Sequence, residues 1–408
     1  MTVTTASGQP PAPSPSAPSL VARPAARLSA VPPEAWNSLL PPGSAALSHG
    51  YLAAWEHADL AGLRSRPVLA YRPPSEKLVA ACPGYFYKLD LVGVRLPAAA
   101  GFLEIVRKVW PGFLAPLTYE LGSPTPLTRP FLVTEDALRP RAVKEMITAA
   151  LEEAQGGGAE FLLVQNFTSL DGPAADELRR LGFAGVPIMP TAVVDLPFSS
   201  YEEYLGAMRA QYRRRARQTM KHSADLTVEH VTEFAGMADE LARLWRLIFD
   251  RARELRREIL TPEYFRAIAP LEEASVLLTR RPDGSIASFA LLLADQPWLS
   301  FLQCGFDEAA GRSEGAYFRL LYEIVRLGIE GGYRQVELGI TTLAPKLDVG
   351  AVPIPLFAWV KHRQPVVQAM LRAWANGPMR PRQLEPRRVF KEPPRSAAEL
   401  VAERGLPS

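Results

Sequence analysis

The chain has 408 residues, long for one domain and sufficient for two, and its apolar content of 48% is ordinary for a globular protein. A formal net charge of +3 excludes a general nucleic-acid coat and confines the basic character to local stretches. Two distant cysteines without a CxxC motif and five scattered histidines exclude a disulfide framework and indicate no metal site, as expected for a protein of the reducing cytoplasm.

The first 33 residues are dominated by proline, alanine and serine. Eight of them are prolines, and such a composition cannot bury enough apolar surface to fold. We therefore predict a disordered tail over 1–33. This start lacks a basic stretch followed by an apolar run, and no apolar run in the chain approaches the roughly 18–20 residues that a membrane span needs. We expect a soluble cytoplasmic protein without a membrane span.

An N-terminal domain is predicted over 34–197. Its helical patterns end at glycines, and its apolar strands are bounded by turn residues. We predict helices over 48–60, 102–110, 138–154 and 174–181, and strands over 66–71, 78–89, 117–121, 131–133, 160–167 and 191–196.

A basic helix is predicted to link two domains over 198–225, with Ser199 or Ser200 as its cap. Between 209 and 221, six of thirteen residues are cationic and none is anionic. A solvated helix face normally gains from opposite charges three or four residues apart. The pattern therefore favours an anionic ligand over a merely solvated face, and the predicted substrate-binding residues are Arg213, Arg214 and Arg217.

A C-terminal domain is predicted over 226–375, and a Pro/Arg-rich tail over 376–408. Strands are predicted over 226–231, 275–280, 285–294, 298–306, 334–338 and 356–360, and helices over 234–257, 262–269, 316–330 and, within the tail, 397–403. The order of helix, glycine stop and buried strand occurs at the end of each half, near 156–162 and 330–338. That recurrence indicates an internal duplication.

The order of elements in 226–362 resembles the GNAT acyltransferase fold: a strand, helices, three antiparallel strands, a helix and two strands. Further features resemble the FemAB-type branch and its BioF2-like acetyltransferase module, namely Tyr212-Arg213-Arg214-Arg215-Ala216-Arg217, Glu337-Leu338-Gly339, Thr341-Thr342, Lys346 and Gly350. The resemblance implies an α/β fold of two tandem GNAT-like domains, each with a mixed, mostly antiparallel central sheet flanked by helices. It also implies acyl or aminoacyl transfer to an amine.

The loop before the helix 316–330 is the expected donor site. GNAT enzymes that use coenzyme A usually carry Gln/Arg-x-x-Gly-x-Gly/Ala there, whereas this loop reads Ala310-Gly311-Arg312-Ser313-Glu314-Gly315-Ala316. Its glycines permit close backbone approach and the helix start offers N–H groups to a diphosphate, but Glu314 adds a negative charge. We predict acyl-CoA as a co-substrate, not a permanently bound cofactor. The residues expected to contact it are Gly311, Arg312, Ser313, Gly315 and Tyr317.

Acyl transfer to an amine needs a neutral amine, donors for the developing oxyanion and often a base. Backbone N–H groups of the strand 299–306 are candidate oxyanion donors. Glu337 ends a buried strand beside an irregular segment and is predicted as the base, with pairing to Arg334 or a loop N–H as the structural alternative. Lys346 is predicted as a second catalytic residue, with a solvated loop lysine as its alternative. Two further residues assigned to substrate binding are Thr341 and Thr342.

Three functions remain open from the sequence. The first is an N-acyltransferase that takes an acyl group from a thioester, acyl-CoA or an acyl carrier protein, and passes it to the amine of a small anionic acceptor. The second uses aminoacyl-tRNA and a peptidoglycan precursor or peptide as acceptor. The third is a non-catalytic binding protein with the GNAT fold.

Overall fold

The computed structural model describes residues 19–58, 60, 62–89, 115–251, 259–308, 310, 314–375 and 385–406. Residues 1–18 and the helix predicted over 102–110 lie outside these ranges.

The N-terminal half begins with two short helices and continues with strands around one long helix. Its helices are α1 Pro33–Asn37, α2 His49–His57, α3 Arg139–Gly156 and α4 Pro173–Arg180. Its strands are β1 Val21–Pro24, β2 Arg64–Ser65, β3 Val68–Arg72, β4 Lys77–Cys82, β5 Gly84–Lys88, β6 Leu117–Leu121, β7 Leu132–Val133, β8 Phe161–Phe167 and β9 Ala184–Asp195. Proline in the first turn starts α1, α3 and α4, where its missing N–H has no helical partner to lose.

The C-terminal half repeats this plan after two linking helices. Its helices are α5 Tyr201–Ala207, α6 Ala210–His222, α7 Ala238–Arg251, α8 Pro262–Ile268, α9 Ala316–Glu330, α10 Leu343–Asp348, α11 Pro365–Ala375 and α12 Ala397–Glu403. Its strands are β10 Thr227–Val231, β11 Ala274–Arg280, β12 Ile286–Asp295, β13 Trp298–Phe306, β14 Gln335–Glu337 and β15 Val352–His362.

A single sheet of eleven strands runs through both halves in the order β10-β11-β12-β13-β14-β9-β15-β8-β6-β5-β2. The two long strands at its centre have changed places. β9, which closes the N-terminal half in sequence, pairs with β14 and β15 of the C-terminal half. β15 pairs with β9 and β8 of the N-terminal half. Each half is therefore completed by a strand of the other, and the fold is a mixed sheet flanked by helices, as the sequence predicts.

Apolar side chains cover both faces of this sheet. On one face of the C-terminal half, α9 packs on a cluster that includes Leu292, Leu299 and Val336. The opposite face shares one core between the halves, because α2 packs on α8 there and the Trp55 and Tyr264 rings meet edge to face at 5.0 Å. A separate core under α3 includes Met146, which is fully buried. The halves thus share both a sheet and a core.

The predicted disordered tail extends too far into the chain. β1 pairs antiparallel with β3, from Val21 opposite Tyr71 to Pro24 opposite Val68. Leu28 is buried in the shared core. The few apolar residues between the prolines find an unpaired strand edge and an apolar surface, which composition alone does not reveal.

The linking segment is two helices instead of one. Ser200 caps α5 by accepting a hydrogen bond from the N–H of Glu203, as predicted. The helix then breaks at Met208, which forms a β-bridge with Phe390, and the Arg209 N–H donates to the Val389 carbonyl over 2.9 Å. The C-terminal segment supplies these contacts, so residues 385–406 are docked on the fold and are not a free tail.

Other differences are local. Pro83 divides the strand predicted over 78–89 into β4 and β5, because proline has no N–H for the ladder. The strand predicted over 191–196 begins earlier, at Ala184, and the one predicted over 356–360 is longer at both ends. The helices α10 and α11 were not predicted. The domain boundaries at 197 and 225 stay predictions.

Candidate functional site

The candidate site lies where two parallel strands separate. β13 pairs with β14 only from Trp298 to Ser300, opposite Gln335 to Glu337. β13 then continues to Phe306. The segment that follows β14 turns away from β13 at Gly339, whose φ of +80° is a left-handed conformation. Among the described residues, one side of β13 beyond Ser300 therefore has no strand beside it, and its backbone faces a gap.

Glu337 lies at the point where this gap begins and is 1% exposed. Its Oε1 accepts hydrogen bonds from the Thr191 hydroxyl and from the Gly339 N–H, the latter at 2.9 Å. Its Oε2 is buried and has no hydrogen-bond partner among the described residues. Burial raises the pKa of the Glu337 carboxyl, and the Thr191 hydrogen bond together with the charges of Arg404 and Lys346 opposes that rise. The predicted loop N–H contact is present, but it leaves one oxygen open.

Lys346, on α10, is also in the gap. It is 2% exposed, and its ammonium donates to the Gly339 carbonyl at 3.0 Å. A Cβ placed on Gly339 would lie 3.5 Å from both Lys346 Nζ and the Phe301 carbonyl oxygen. The lysine ammonium therefore lies near the place where the two strands separate. Lys346 is therefore a buried cation beside Glu337, and the solvated-lysine alternative is wrong.

Cys304 faces the same region from β13. Burial raises the pKa of its thiol to about 11, although the Lys346 charge opposes this. A thiol with this pKa is protonated at neutral pH and is a poor nucleophile. Cys304 is half-buried and, with a raised pKa, is not placed as a nucleophile.

Thr341 and Thr342 are exposed between β14 and α10. Thr342 precedes α10 with a φ of +51°, uncommon for a β-branched residue. Both threonines follow Gly339, where the strands separate, by two or three residues. Their contact with substrate stays a prediction.

The expected donor loop is described in part. Gly311, Arg312 and Ser313 lie outside the described residues, whereas Gly315 precedes α9 with a φ of +66°. Glu314 does not offer a free charge, because Arg281 donates to both of its carboxylate oxygens at 2.9 and 3.1 Å and also pairs with Asp307.

Tyr317, in the first turn of α9, packs its ring 5.6 Å from that of Phe306. The His222 ring, at the end of α6, lies close enough that a Cβ on Gly315 would be 3.2 Å from it. The basic helix therefore ends at the start of α9, so the two expected anion-binding elements meet.

The arginines of α6 divide into two groups. Arg213 is half-buried and donates to the Met208 carbonyl at 3.1 Å, and Arg215 pairs with Asp348 of α10 at 2.6 Å. Arg214 and Arg217 are exposed and make no hydrogen bond or ion pair with the described part of the chain. Arg213 thus braces the turn between α5 and α6, and the exposed pair is better placed for a ligand.

The matching position in the N-terminal half is closed. β6 stays paired with β8 up to Leu121 opposite Val164. Beyond it, Asn166 donates to the carbonyls of Ser123 and Thr125. Glu120 is buried, but the hydroxyls of two tyrosines donate to its two oxygens, and these are Tyr85 and Tyr87. The two halves share a plan, yet only the C-terminal one separates its parallel strands.

A cavity of about 30 Å³ lies between the halves, on the Ser300 side of the sheet. Its polar lining includes Ser300, Asp295, Arg129 and Arg404. Sequence reasoning missed it, because its residues come from four distant segments and none forms a local motif. Arg404 lies in a Pro/Arg-rich stretch, where no sequence pattern distinguishes it from the other arginines.

In the described ranges no cluster of three or more His, Cys, Asp or Glu residues could hold a metal ion. A search of the same ranges finds no helix with both the length and the apolarity needed to cross a membrane.

Comparison with known proteins identifies the fold. The sequence model of the acetyltransferase (GNAT) domain matches residues 206–345. FemX, a solved structure, superposes on 84% of this chain and 98% of its own with a TM-score of 0.53 and 14% identity. A tandem GNAT protein from the clavulanic acid biosynthesis pathway covers 85% of this chain and 99% of its own, with a TM-score of 0.47 and 14% identity.

Curated relatives match over part of their length. Proteins of two Mycobacterium tuberculosis strains, each named 8-amino-7-oxononanoate synthase 2, are 29% identical over 289 residues, or 68% of this chain. The chain spans 37% of the length of these relatives. The match at 206–345 includes α6 and the separating strands β13 and β14 and ends one residue before Lys346, so this part of the chain is similar to the acetyltransferase (GNAT) domain.

Proposed function

We propose that this protein is an N-acyltransferase that moves an acyl group from a thioester donor to the amine of a small anionic acceptor. The observation that carries the proposal is the buried Glu337 at the start of the gap, with one oxygen held by two donors and the other open. A base in this position can take a proton from an amine directly or through one water.

The amine nitrogen attacks the thioester carbonyl carbon, the carbonyl oxygen becomes an oxyanion, and the amine proton passes to Glu337 Oε2. The oxyanion then re-forms the carbonyl as the C–S bond breaks. The departing thiolate takes up the proton that Glu337 accepted, directly or through water, which returns Glu337 to the carboxylate. The raised pKa of Glu337 favours this role, since a more basic carboxylate accepts a proton more readily.

Two groups are placed to stabilise the oxyanion. Backbone N–H groups of β13 beyond Ser300 are the first, because no described strand pairs with that side of β13 there. The Lys346 ammonium adds a positive charge in a buried setting, where it is screened little by water. The gap in the C-terminal half, and not its closed counterpart, is therefore the proposed reaction centre.

A second candidate donor is aminoacyl-tRNA. The exposed arginines Arg214 and Arg217, which lack partners in the described ranges, favour it, because an RNA backbone offers phosphates without requiring base recognition. Binding of tRNA would then weaken steeply as salt rises, whereas binding of a small acyl-CoA would weaken less.

The experiment measures transfer from acetyl-CoA, longer acyl-CoAs and aminoacyl-tRNA to a panel of amino acids, peptides and amino sugars. With the active pair, we expect Glu337→Gln to lower kcat at least about tenfold, because the amide cannot accept the proton but can still accept from Thr191 and Gly339. Wild-type kcat should rise with pH through the pKa of Glu337, and the variant should lose that dependence.

Glu120→Gln is the matched control, a buried glutamate at the closed position of the other half. It should leave kcat within about twofold of wild type. Equal kcat and an unchanged pH profile in Glu337→Gln would assign Glu337 to structure and remove the proposed base.

A further inference from the structure

The cavity between the halves contains a half-buried arginine with an open, buried donor atom. Arg404 lines it, and its Nε donates to the Gln335 side chain at 2.7 Å. The guanidinium also lies 4.9 Å from the centroid of the Trp298 ring. These two contacts hold the group in place, yet Nη2 is buried and has no hydrogen-bond partner in the part of the chain that the structure describes.

A buried donor without a partner is costly, so its persistence needs an explanation. Burial lowers the pKa of Arg404 to about 10 despite the opposing charges of Glu337, Asp295 and Glu403. None of these carboxylates accepts a hydrogen bond from Nη2 in the described ranges, so an additional anion there would satisfy the open donor.

The remaining lining is consistent with a small anion. Arg129 reaches the cavity from the N-terminal half, where its Nη2 donates to the Gly405 carbonyl, and burial lowers its pKa as well. Asp295 accepts from the Ala45 N–H at 2.6 Å, and burial raises its pKa to about 6. The lining thus offers two guanidiniums against one carboxyl group. Asp295 would repel a dianion such as phosphate more strongly than a single carboxylate, which favours a monocarboxylate.

The cavity also adjoins the proposed reaction centre. Ser300 lines it and is the residue opposite Glu337 in the β13–β14 ladder. Gln335, which holds Arg404, is two residues before Glu337 on the same strand face. A ligand held at Arg404 is therefore on the Glu337 side of the sheet.

We propose that Arg404 binds a carboxylate of the acyl acceptor in this cavity between the two halves. The proposal rests on the proposed function for the identity of the acceptor. It assigns the anion-recognition role to the C-terminal segment, which docks on both halves, and leaves the exposed arginines of α6 for the donor.

The test begins with binding in the absence of any donor. Acetate, propionate and inorganic phosphate serve as probes, since none carries an amine that could be acylated. In calorimetric titrations, we expect wild-type protein to bind acetate or propionate, which are monoanions, more tightly than phosphate. Arg404→Lys, which keeps the charge and loses the open Nη2, should weaken that binding at least about tenfold.

Arg246→Lys on α7 is the matched control, an exposed arginine outside the cavity and α6 that pairs with Asp250, and it should bind the carboxylates as wild type does. If Arg404→Lys fails to fold, as judged by circular dichroism, Arg129→Gln takes its place and should weaken binding at least about threefold by removing the second cation. Equal carboxylate affinity in wild type and the folded cavity variants would overturn the proposal. Tighter binding of phosphate than of the carboxylates would also overturn it.

A second measurement separates this site from the reaction. With an accepted acceptor, Arg404→Lys should raise KM at least about tenfold for the carboxylate form and leave KM for its amide unchanged. Unchanged KM for both with transfer intact would remove the site and keep the proposed function. A different outcome is also possible to distinguish. If Arg404→Lys loses carboxylate binding but wild-type protein transfers no acyl group from any thioester, the carboxylate site stands and the proposed function is wrong.

Discussion

At the scale of single residues, the Glu337 side of the sheet is unusual for its buried ionisable groups. Glu337 and Asp295 each have one oxygen bonded to a backbone N–H, and burial raises the pKa of both. Their charged forms are therefore disfavoured in the fold. Such carboxyl groups lower stability in the pH range where the unfolded chain would ionise them, and this cost is typical of functional sites.

Asp295 makes this cost measurable. Its pKa rises from 3.8 in the unfolded reference to about 6 in the fold, so the folded state binds more protons between these values. Its contribution to the free energy of unfolding must then decrease as pH rises from about 4 to about 6. Asp295→Asn keeps an acceptor for the Ala45 N–H but cannot ionise. We expect its stability relative to wild type, measured by urea unfolding, to be higher at pH 7 than at pH 4.

A control of opposite sign is available on the surface. The Ser285 side chain and N–H hold the pKa of Asp283 below its usual value. Asp283→Asn should therefore be more destabilising at pH 7 than at pH 4. If Asp295→Asn shows the same sign as Asp283→Asn, the Asp295 carboxyl is ionised in the fold without cost.

At the scale of elements, α6 carries residues that brace the fold and residues that we propose bind the donor. Ala216 is buried against the core, and Arg215 ties the helix to α10. Arg214 and Arg217 project from a helix whose last turn lies beside the start of α9. The N-terminus of α9 carries a partial positive charge, so α6 and α9 together form a positive region on the side of the gap away from Ser300.

The prediction for α6 concerns the donor. Arg214→Lys and Arg217→Lys should each weaken binding of an acyl-CoA or of tRNA, since lysine cannot reproduce the two-pronged contact of arginine with phosphate. The loss should shrink as salt rises, because the screening length falls to roughly 8 Å at about 0.15 M. Fluorescence titrations at two salt concentrations measure this.

Arg246→Lys on α7 is the matched control, an exposed arginine that pairs with Asp250. It should leave the affinity for either donor unchanged. If the affinities for acyl-CoA and for tRNA are unchanged in Arg214→Lys and Arg217→Lys, the arginines of α6 form only a solvated face, which is the alternative to a ligand site.

At the scale of the whole molecule, the exchange of β9 and β15 makes the halves one folding unit. Neither strand pairs with a strand of its own half. The shared core of α2 and α8 adds contacts between the halves. Unfolding one half would leave the other with an open sheet edge and an uncovered apolar face.

This predicts a single unfolding transition. Met146→Ala, in the core under α3, should cost about 2–5 kcal/mol, as buried large-to-small substitutions do. Because the halves are coupled, it should lower the Tm of the entire protein as one transition. Calorimetry measures it, and Leu321→Ala in the core under α9 should have the same effect from the other half. Two transitions, one at the wild-type Tm, would mean that the halves unfold independently.

Much of the secondary structure follows from the sequence alone. The helix α9 and the strand β13 have the predicted bounds, and α12 also matches. The local sequence defines each of these elements. Apolar residues recur with a period of 3.6 in a helix or 2 in a strand, and particular residues end the element, such as Gly331 after α9. The sequence also placed Glu337 at a strand end and identified the basic segment.

The site depended on contacts that no local pattern records. Glu337 and Thr191 are 146 residues apart, and Arg404 and Gln335 are 69 apart. The break at Met208 arises because a distant segment bonds to the backbone there. Periodicity and capping are properties of a few neighbouring residues, so the sequence by itself determined the elements and their order. Which strands completed which half, and which buried charges met between them, was decided only by the tertiary structure, because burial and pairing depend on residues far apart in the chain.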